Sequence, residues 1–332
     1  MNSPLVVVLG AAGFVGSAVF RELAQHPVRI RAVSRRKSPV PKNARAEIEV
    51  VSADLTEPGQ MAGAAAGADV VIHSLAYIAG ASTWRIADGD TVAERVNVGL
   101  MRDLLHALRD RADSLAPPTV LFTGSVTAVG PSEKEVLDGT EPDRPKGEYE
   151  RQKLAAERLL LAADTEGTVR GACLRLTTVY GYSAGSTTRD KGIVSAMARR
   201  AVAGKPLTMW HDGTVRRDLL HVDDVARAFR AAIPCMDELA GKRWLLGTGQ
   251  GAPLGAVFTT VSELVAGQTG REPVPVVSVA PPEYAEVRDF RSVTIDSSAF
   301  QAATGWKPQV SLEDGLRLTT EFCSSGREAE LP

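Results

Sequence analysis

The sequence predicts an α/β protein built on one parallel β-sheet with helices on both faces. Short apolar runs alternate with helical stretches, the runs are rich in β-branched residues, and a glycine-rich turn follows the first run. Such runs are typical of strands buried on both faces, and their alternation with helices is typical of a doubly wound parallel sheet. The predicted strands cover residues 5–9, 30–34, 48–53, 70–74, 119–124, 172–177 and 244–247.

Two helices have the clearest pattern, and they are predicted over residues 94–111 and 148–164. In the first, Val96, Leu100 and Leu104 begin a stripe of apolar residues at every fourth position. The alternation of strand and helix is regular to about residue 175 and irregular after it, which indicates a second, smaller lobe. We expect a sheet domain of residues 1–175 with about 219–248, and a lobe of residues 176–218 and 249–325.

The composition is that of a soluble globular protein, with 44% hydrophobic and 23% charged residues in 332. A net charge of −2 argues against a nucleic-acid partner. Residues 5–20 are uncharged, but they contain three glycines and are too short to span a membrane, so no membrane association is expected. The three cysteines lie far apart, which favours reduced thiols and a cytoplasmic location. No metal site is predicted, and His221 with Asp223 is interpreted as structural.

The glycine turn carries the first functional signal. Gly10, Gly13 and Gly16 stand where the first strand passes into the first helix. Glycines there permit a tight turn and let main-chain N–H groups approach a pyrophosphate at the start of the helix, beside Phe14 and Val15. A plain glycine-rich turn is the alternative. The position directly after an apolar strand favours dinucleotide binding.

The end of the second strand indicates which dinucleotide is bound. Ser34, Arg35 and Arg36 follow the strand, and no acidic residue appears before Glu47. An acid is usual where a ribose 2′-hydroxyl is bound, whereas a hydroxyl and two guanidinium groups suit a 2′-phosphate. The sequence therefore favours NADP(H). A basic turn exposed to solvent is the alternative.

A Tyr and a Lys four residues apart supply the candidate chemistry. Tyr149 and Lys153 lie on one face of the predicted helix over 148–164. The lysine is expected to lower the pKa of the phenol, so that the tyrosine donates a proton near neutral pH. The spacing is common on helix surfaces, but Ser125 ends an upstream strand and provides a hydroxyl for the same site.

Taken together, the glycine spacing and the set of Ser125, Tyr149 and Lys153 resemble the extended short-chain dehydrogenase/reductases. The resemblance implies a Rossmann-type sheet with a smaller C-terminal substrate lobe. It also implies that Ser125 binds a substrate carbonyl, with Thr123 and Thr127 as alternative hydroxyls. The remaining cofactor contacts implied by the resemblance are Asp54 and Leu55 at the adenine and Ser74, Leu75 and Ala76 along the groove, while Asn97 braces the active-site helix.

The C-terminal half resembles the nucleotide-sugar epimerases, dehydratases and reductases of the same group. Residues 212–226 match their DG-x-RD-x-x-HVDDVA segment. In those enzymes the arginine before the aspartate holds the nucleotide diphosphate, which maps to Arg217 beside Arg216. A second arginine maps to Arg288, with Arg291 as the alternative. Further substrate contacts implied by position are Trp210 against a pyrimidine base, or buried in the lobe instead, Thr178, and Ser82 and Thr83 at the sugar.

The finer resemblance is to the dTDP-4-keto-6-deoxyhexose 4-ketoreductases of antibiotic deoxysugar biosynthesis. It implies NADPH-dependent reduction of the C4 ketone of a dTDP-linked keto-sugar, by a homodimer paired through the helices over 94–111 and 148–164. Two alternatives stay open at this point. One is a nucleotide-sugar 4-epimerase that keeps NAD bound, and the other is a non-catalytic regulator that senses NADP(H).

Overall fold

A seven-stranded parallel sheet forms the centre of the molecule, with strand order β11-β7-β5-β4-β1-β2-β3. The computed structural model describes residues 3–77, 86–109, 116–182, 184–283 and 285–326, and for Arg288 it describes the main chain alone. The strands are β1 Leu5–Leu9, β2 Arg29–Ser34, β3 Glu47–Ser52, β4 Val70–His73, β5 Thr119–Ser125, β6 Val136–Leu137, β7 Arg170–Leu176, β8 Thr178–Tyr180, β9 Leu207–Met209, β10 Arg216–His221, β11 Lys242–Leu246, β12 Gly251–Pro253, β13 Val276–Ser278 and β14 Thr294–Ile295.

Helices cover both faces of this sheet, so the predicted fold class is confirmed. No helix within the described residues is long and apolar enough to cross a membrane. The helices are α1 Phe14–Ala24, α2 Gln60–Ala65, α3 Thr91–Glu94, α4 Leu100–Arg109, α5 Glu148–Thr165, α6 Ile193–Val202, α7 Val222–Ala232, α8 Met236–Leu239, α9 Leu254–Thr269, α10 Ser298–Thr304 and α11 Leu312–Ser324.

The strand order places a topological switch between β1 and β4. From β1 the chain builds the sheet outward through β2 and β3, then returns to β4 on the other side of β1 and continues through β5, β7 and β11. Crossover connections leave a crevice at such a point, at the carboxyl ends of the strands. The glycine turn after β1 and Ser74 after β4 both lie there.

The two faces of β1 supply two separate halves of the core. Val6 and Val8 pack on the side of α1 and α7, whereas Leu5, Val7 and Leu9 pack on the side of α4 and α5. The uninterrupted apolar run of β1 follows from this double burial. The long helices of both layers are thereby fixed to the same strands.

The helix predicted over 94–111 begins earlier and is interrupted. The Asp90 carboxylate accepts from the N–H of Ala93 at 2.9 Å and caps α3, and a π-helical turn over Arg95–Gly99 then connects α3 to α4. A π-helical turn holds more residues than an α-helical turn, so the side chains point in directions that the regular apolar pattern does not predict. As a result Asn97 is buried and Val96 is only partly buried. The predicted start was therefore wrong, and residues 110 and 111 lie outside the described part of the chain.

A smaller lobe collects the C-terminal elements. Its core joins α6, α9 and α11, and short sheets are formed by β12-β10-β8 and by β13-β9. The helix α7 packs on α1, and β11 closes one edge of the large sheet. The residue limits given above for the two lobes stay a prediction.

Asp218 holds the lobe to the sheet. It is buried at the start of β10, and its carboxylate accepts from the N–H groups of Thr248, Gly249 and Ile295 at 2.8–3.1 Å. Three segments that are distant in sequence therefore meet at one side chain. The acidic residue that follows Arg217 in the C-terminal signature is thus a structural anchor.

The cluster around His221 is also structural. The His221 ring accepts from the N–H of Asp223 at 3.3 Å and caps α7, while the Asp223 carboxylate pairs with Arg21. Fully buried Asp224 accepts from the N–H groups of residues 309–310 at 2.7 and 3.0 Å. These contacts agree with the structural interpretation of the motif.

A buried ion pair joins β7 to α5. Arg175 is only 1% exposed, and its Nε and Nη2 donate to the two oxygens of the Glu157 carboxylate at 2.8 and 2.7 Å. Its Nη1 donates to Asp143, in the loop before α5, at 2.7 Å. The Cys173 thiol donates to the same Glu157 carboxylate at 3.1 Å. One guanidinium therefore fixes a strand, a helix and the loop that leads into the helix.

Gly124 makes room for this ion pair. A Cβ atom at Gly124 would lie 2.4 Å from the Cys173 sulfur and 3.2 Å from Cγ of Arg175. Gly124 pairs with Arg175 across β5 and β7, and Ser125 is the next residue along β5. The ion pair therefore lies next to Ser125, the candidate catalytic serine. Its acidic member, Glu157, is on α5, the helix that also carries Tyr149 and Lys153.

Glu157→Gln is expected to lower the free energy of unfolding by about 3 kcal/mol, because it leaves a buried guanidinium short of a charged partner. The double variant Glu157→Leu with Arg175→Met removes both charges and should recover most of that loss. Urea titration followed by circular dichroism measures both values.

The exposed pair of Glu94 and Arg102 provides the control. Glu94→Gln is expected to change the free energy of unfolding by less than about 1 kcal/mol. A loss of that small size for Glu157→Gln as well would contradict the structural role of the buried pair.

Candidate functional site

The glycine turn after β1 is closed by main-chain hydrogen bonds. Gly10 has φ +89°, a left-handed conformation that favours glycine, and its N–H donates to the oxygen of Val33 at 2.8 Å. The N–H of Gly13 donates to the oxygen of Gly10 at 2.8 Å. A Cβ atom at Gly16 would lie 2.1 Å from that same oxygen, so only glycine lets α1 start this close to the turn.

The first turn of α1 faces the crevice. Its N-cap is Gly13, which provides no side-chain hydrogen bond, and Phe14 and Val15 are the first helical residues. N–H groups in a first helical turn have no acceptor within the helix and carry its positive dipole end. The arrangement suits an anionic group such as a pyrophosphate.

The turn after β2 presents the two predicted arginines. Buried Ser34 donates its hydroxyl to the oxygen of Arg36 at 2.7 Å and shares a 3.0 Å hydrogen bond with Ser38, so it shapes the turn. Arg35 and Arg36 are exposed. Arg36 donates from Nη1 to the main-chain oxygen of Thr187 at 2.6 Å.

The predicted groove residues after β3 and β4 lie at the same edge of the sheet. Asp54 is exposed, and the hydroxyl and N–H of Thr56 hold the pKa of its carboxyl below the ordinary value. Leu55 beside it is buried.

Ser74 and Leu75 lie against the glycine turn. The Ser74 hydroxyl donates to the oxygen of Leu9 at 2.7 Å, and a Cβ atom at Gly10 would lie 3.0 Å from the Ser74 oxygen and 3.3 Å from a methyl of Leu75. Ala76, the next residue, is exposed. These residues form the floor of the crevice between β1 and β4.

Ser125 ends β5 and caps the 3₁₀ turn Val126–Val129. Its hydroxyl lies 2.8 Å from the Thr127 hydroxyl and accepts from the Thr127 N–H at 3.3 Å. Buried Thr123 donates instead to the oxygen of His73 at 3.2 Å. The Thr123 hydroxyl is therefore already hydrogen-bonded inside the sheet. Of the two alternative hydroxyls, Thr127 is the one that hydrogen-bonds to Ser125.

Tyr149 is buried near the start of α5. It is 7% exposed and packs with Ile86, Ala93 and Tyr77. Burial, and after it the negative charge of Glu150, raises the pKa of its phenol above the ordinary value. The expectation of a lowered pKa is therefore wrong, because burial disfavours the charged phenolate. The phenol stays protonated and is a proton donor.

Lys153 lies one helical turn from Tyr149 and is 3% exposed. Its Nζ is 4.5 Å from the centroid of the Phe122 ring. Burial lowers the pKa of the ammonium to about 8, while the carboxylate of Glu157 opposes the change. Within the described residues, Lys153 has no hydrogen bond or ion pair, so its N–H donors are available to a bound molecule.

His73 lies beside the lysine at the end of β4. Burial and the charge of Lys153 lower the pKa of its imidazole to about 3, so the ring is neutral. The ring meets Phe122 edge-on, with the two centroids 5.4 Å apart. Lys153 is consequently the cation at this position.

Asn97 connects the π-helical turn to the site. Its amide accepts from the N–H of Tyr77 at 2.7 Å and donates to the Tyr77 oxygen at 3.1 Å, and it also donates to the Gln152 side chain at 2.9 Å. The segment after β4 is thereby tied to α5, as the resemblance led us to expect.

The candidate diphosphate site is only partly described. Arg217 is partly buried and donates to the main-chain oxygens of Arg216 and Asp289 at 3.0 Å and to that of Arg291, and burial lowers its pKa. Arg291 donates to the oxygen of Ser132 at 2.8 Å. Trp210 and Thr178 are both partly buried, in the lobe after β9 and on β8 respectively. Ser82, Thr83 and the Arg288 side chain lie outside the described residues.

Three features of the candidate site are not predicted by the sequence. The Arg175–Glu157 pair and the contacts of Thr187 join residues far apart in the chain, and no spacing rule identifies them. The burial of Tyr77 against Tyr149 depends on the path of the chain after β4. Thr187 lies in a stretch rich in Gly, Ser and Thr over residues 181–192, and that composition alone predicts no contact.

With the site described, comparison with known proteins identifies the family. The model of the NAD dependent epimerase/dehydratase family matches residues 6–247. The dTDP-L-rhamnose 4-epimerase of Burkholderia thailandensis is 26% identical, over 94% of this chain and 92% of its own length. The dTDP-4-dehydro-6-deoxy-D-allose reductase of a Streptomyces species is 23% identical, over 67% of this chain and 70% of its own length.

A solved structure agrees with these matches over nearly the full length. MoeE5 in complex with UDP-glucuronic acid and NAD has a TM-score of 0.77 and 28% sequence identity, covering 97% of this chain and 98% of that chain. The chain belongs to the NAD-dependent epimerase/dehydratase family, within the extended short-chain dehydrogenase/reductases.

Proposed function

We propose that this protein is an NADP(H)-dependent reductase that acts on the C4 ketone of a dTDP-linked 4-keto-deoxyhexose or dideoxyhexose. The observation that carries the proposal is that Tyr149 and Lys153, both buried, lie one turn apart on α5, which packs against β5 and the turn that follows Ser125. Ser125 stands at the carboxyl end of β5, next to β4, and therefore at the same edge of the sheet as the glycine turn.

The residues present fit a nicotinamide dinucleotide. The close start of α1 at Gly16 leaves main-chain N–H groups for a pyrophosphate, and the ammonium of Lys153 has N–H donors to offer ribose hydroxyls. When bound, the reduced cofactor supplies the hydride that reaches the ketone carbon.

Two side chains of this protein hydrogen-bond to the ketone oxygen and protonate it. The hydroxyl of Ser125, oriented by Thr127, donates a hydrogen bond to the carbonyl oxygen. The Tyr149 phenol transfers its proton to that oxygen as negative charge develops there. The positive charge of Lys153 then stabilises the phenolate that remains.

The choice of NADP(H) rests on the turn after β2. Arg35 and Arg36 are exposed there, and guanidinium groups bind phosphate with paired hydrogen bonds. No acid stands between β2 and Glu47 to accept from a ribose 2′-hydroxyl. The NAD named in the complex of MoeE5 makes NAD the competing assignment.

A nucleotide-sugar 4-epimerase is the second candidate, and full-length similarity to the Burkholderia epimerase favours it. An epimerase would use the same Ser, Tyr and Lys but would keep its cofactor bound and unchanged after each turnover. Net consumption of the cofactor therefore separates the two functions.

The proposal extends to the setting of the enzyme. Antibiotic deoxysugar biosynthesis is the expected pathway, and the Streptomyces reductase supports it. The cytoplasm is the expected location, supported by Cys173, Cys235 and Cys323, which form no disulfide within the described residues. A homodimer paired through α4 and α5 is expected from the family.

Purified protein mixed with NADPH and a dTDP-4-keto-6-deoxyhexose should consume the cofactor only when the sugar is present. Tyr149→Phe is expected to lower kcat by about 10²–10⁴-fold, because the proton donor is lost. Absorbance of the reduced nicotinamide measures the rate, and nuclear magnetic resonance identifies the sugar product.

Tyr180→Phe is the matched control, since Tyr180 is buried in the core of the lobe with its hydroxyl 3.5 Å from the oxygen of Leu312, and this variant should keep its activity. No consumption of NADPH with the keto-sugar, together with inversion at C4 of a dTDP-hexose that carries a C4 hydroxyl, would replace the reductase with the epimerase. Tight binding of NADPH with neither change, across D- and L-configured keto-sugars, would instead favour a sensor.

The affinity for NADPH is expected to be constant below about pH 8 and to fall above it, by up to about tenfold per pH unit. The pKa of Lys153 is about 8 without ligand, and hydrogen bonds to the ribose favour the charged form, so binding weakens as the free protein loses that charge. Fluorescence titration from about pH 7 to 9.5 measures the effect.

Lys153→Met should bind NADPH more weakly and without this fall. The same fall in wild type and in Lys153→Met would show that another group titrates, and it would remove Lys153 from the cofactor site.

A further inference from the structure

A short segment of the lobe reaches across to the cofactor crevice. We call residues 185–188 the strap. Within it, the N–H of Thr187 donates to the main-chain oxygen of Ala12 at 2.9 Å, and the Thr187 hydroxyl donates to the same oxygen at 3.2 Å. The Thr187 oxygen accepts from Nη1 of Arg36 at 2.6 Å. A single residue thus bonds to both the glycine turn and the basic turn.

The strap is held in shape by its own hydrogen bonds. The Ser186 hydroxyl donates to the Thr188 oxygen at 2.7 Å and accepts from the Thr188 N–H at 3.2 Å. Beyond the strap, the Asp190 carboxylate accepts from the Gly192 N–H and the Ser195 hydroxyl at 2.7 and 2.6 Å, which fixes the segment to the start of α6. The carbonyl that meets Arg36 is therefore in a defined place.

The hydrogen bond to Thr187 orients the Arg36 guanidinium and engages one of its nitrogens, which leaves other N–H donors for a ligand. A guanidinium has five N–H donors in a rigid plane, and one nitrogen here is engaged with the carbonyl. The other donors remain for a phosphate, and the side chain has already lost much of its rotational freedom. Restricting a binding group in advance lowers the entropic cost of ligand binding.

We propose that Thr187 is a specificity-determining residue that positions Arg36 to bind the 2′-phosphate of NADP(H). This inference rests on the cofactor preference proposed above. Ala12 and Arg36 flank the place between the glycine turn and the end of β2, where the adenosine ribose of a dinucleotide is bound in sheets of this kind. Thr187 acts through Arg36, so it is a positioning residue.

The preference between two cofactors distinguishes positioning from a general structural role. NADPH and NADH differ only by the 2′-phosphate. Loosening the strap as a structural element would change both dissociation constants by the same factor. Loss of the orientation of Arg36 would weaken NADPH and leave NADH nearly unchanged.

Thr187→Pro is the test variant, because proline lacks the N–H that bonds to Ala12 and the hydroxyl is lost with it. The dissociation constants of NADPH and NADH are measured by nicotinamide fluorescence on the intact protein, with thermal unfolding as the check on folding. We define the cofactor ratio as the dissociation constant of NADH divided by that of NADPH. This ratio is expected to fall by about tenfold in Thr187→Pro, which corresponds to the loss of one charge-assisted hydrogen bond.

Ala184→Pro is the matched control, since the N–H of Ala184 makes no hydrogen bond in the described part of the chain. Its cofactor ratio should equal that of wild type. Arg36→Lys keeps the charge but cannot bond to the carbonyl and the phosphate in one plane, and it should lower the ratio as Thr187→Pro does.

Two results would contradict the inference in different ways. An unchanged ratio in Thr187→Pro, with a lowered ratio in Arg36→Ala, would overturn the role of Thr187 and leave the NADP(H) preference standing. Equal binding of NADPH and NADH by the wild-type protein would overturn the preference itself, and the role of Thr187 with it.

Discussion

The buried guanidinium of Arg175 is the constraint on which the rest of the site depends. A charge taken out of water needs carboxylates at hydrogen-bond distance, and Arg175 finds them on α5 at Glu157 and in the preceding loop at Asp143. Replacing such a pair with apolar groups often costs little, so its contribution is more geometric than energetic. It fixes α5 against β7, which runs beside β5, and therefore sets where Tyr149 and Lys153 stand relative to the end of β5.

Burial has opposite consequences for the two groups on α5. It raises the pKa of Tyr149, which keeps the phenol protonated as an acid, and it lowers the pKa of Lys153 to about 8, which still leaves a cation near neutral pH. Burial, and after it the charge of Lys153, lowers the pKa of His73 to about 3 and leaves that ring neutral. In the proposed reaction, the buried positive charge of Lys153 compensates the anionic cofactor and the developing phenolate.

Local patterns in the sequence were sufficient for much of this picture. Alternating apolar runs predict the seven strands, and glycine spacing predicts the turn after β1, because both depend on neighbours in the chain. The pairing of Arg175 with Glu157 and the contact of Thr187 with Arg36 could not be predicted, since 18 and 151 residues separate the partners. The pKa of Tyr149 was predicted in the wrong direction, because spacing does not report burial.

A reductase consumes its cofactor whereas an epimerase retains it, and transfer of deuterium from labelled NADPH distinguishes the two. NADPH carrying deuterium at either face of C4 is incubated with the dTDP-4-keto-6-deoxyhexose, and the product is analysed by mass spectrometry and nuclear magnetic resonance. Reduction by this protein should place one deuterium at C4 of the sugar, from one face of the cofactor only. No deuterium in the sugar, together with inversion at C4 of a dTDP-hexose that carries a C4 hydroxyl while bound nicotinamide stays unchanged, would contradict reduction and identify an epimerase.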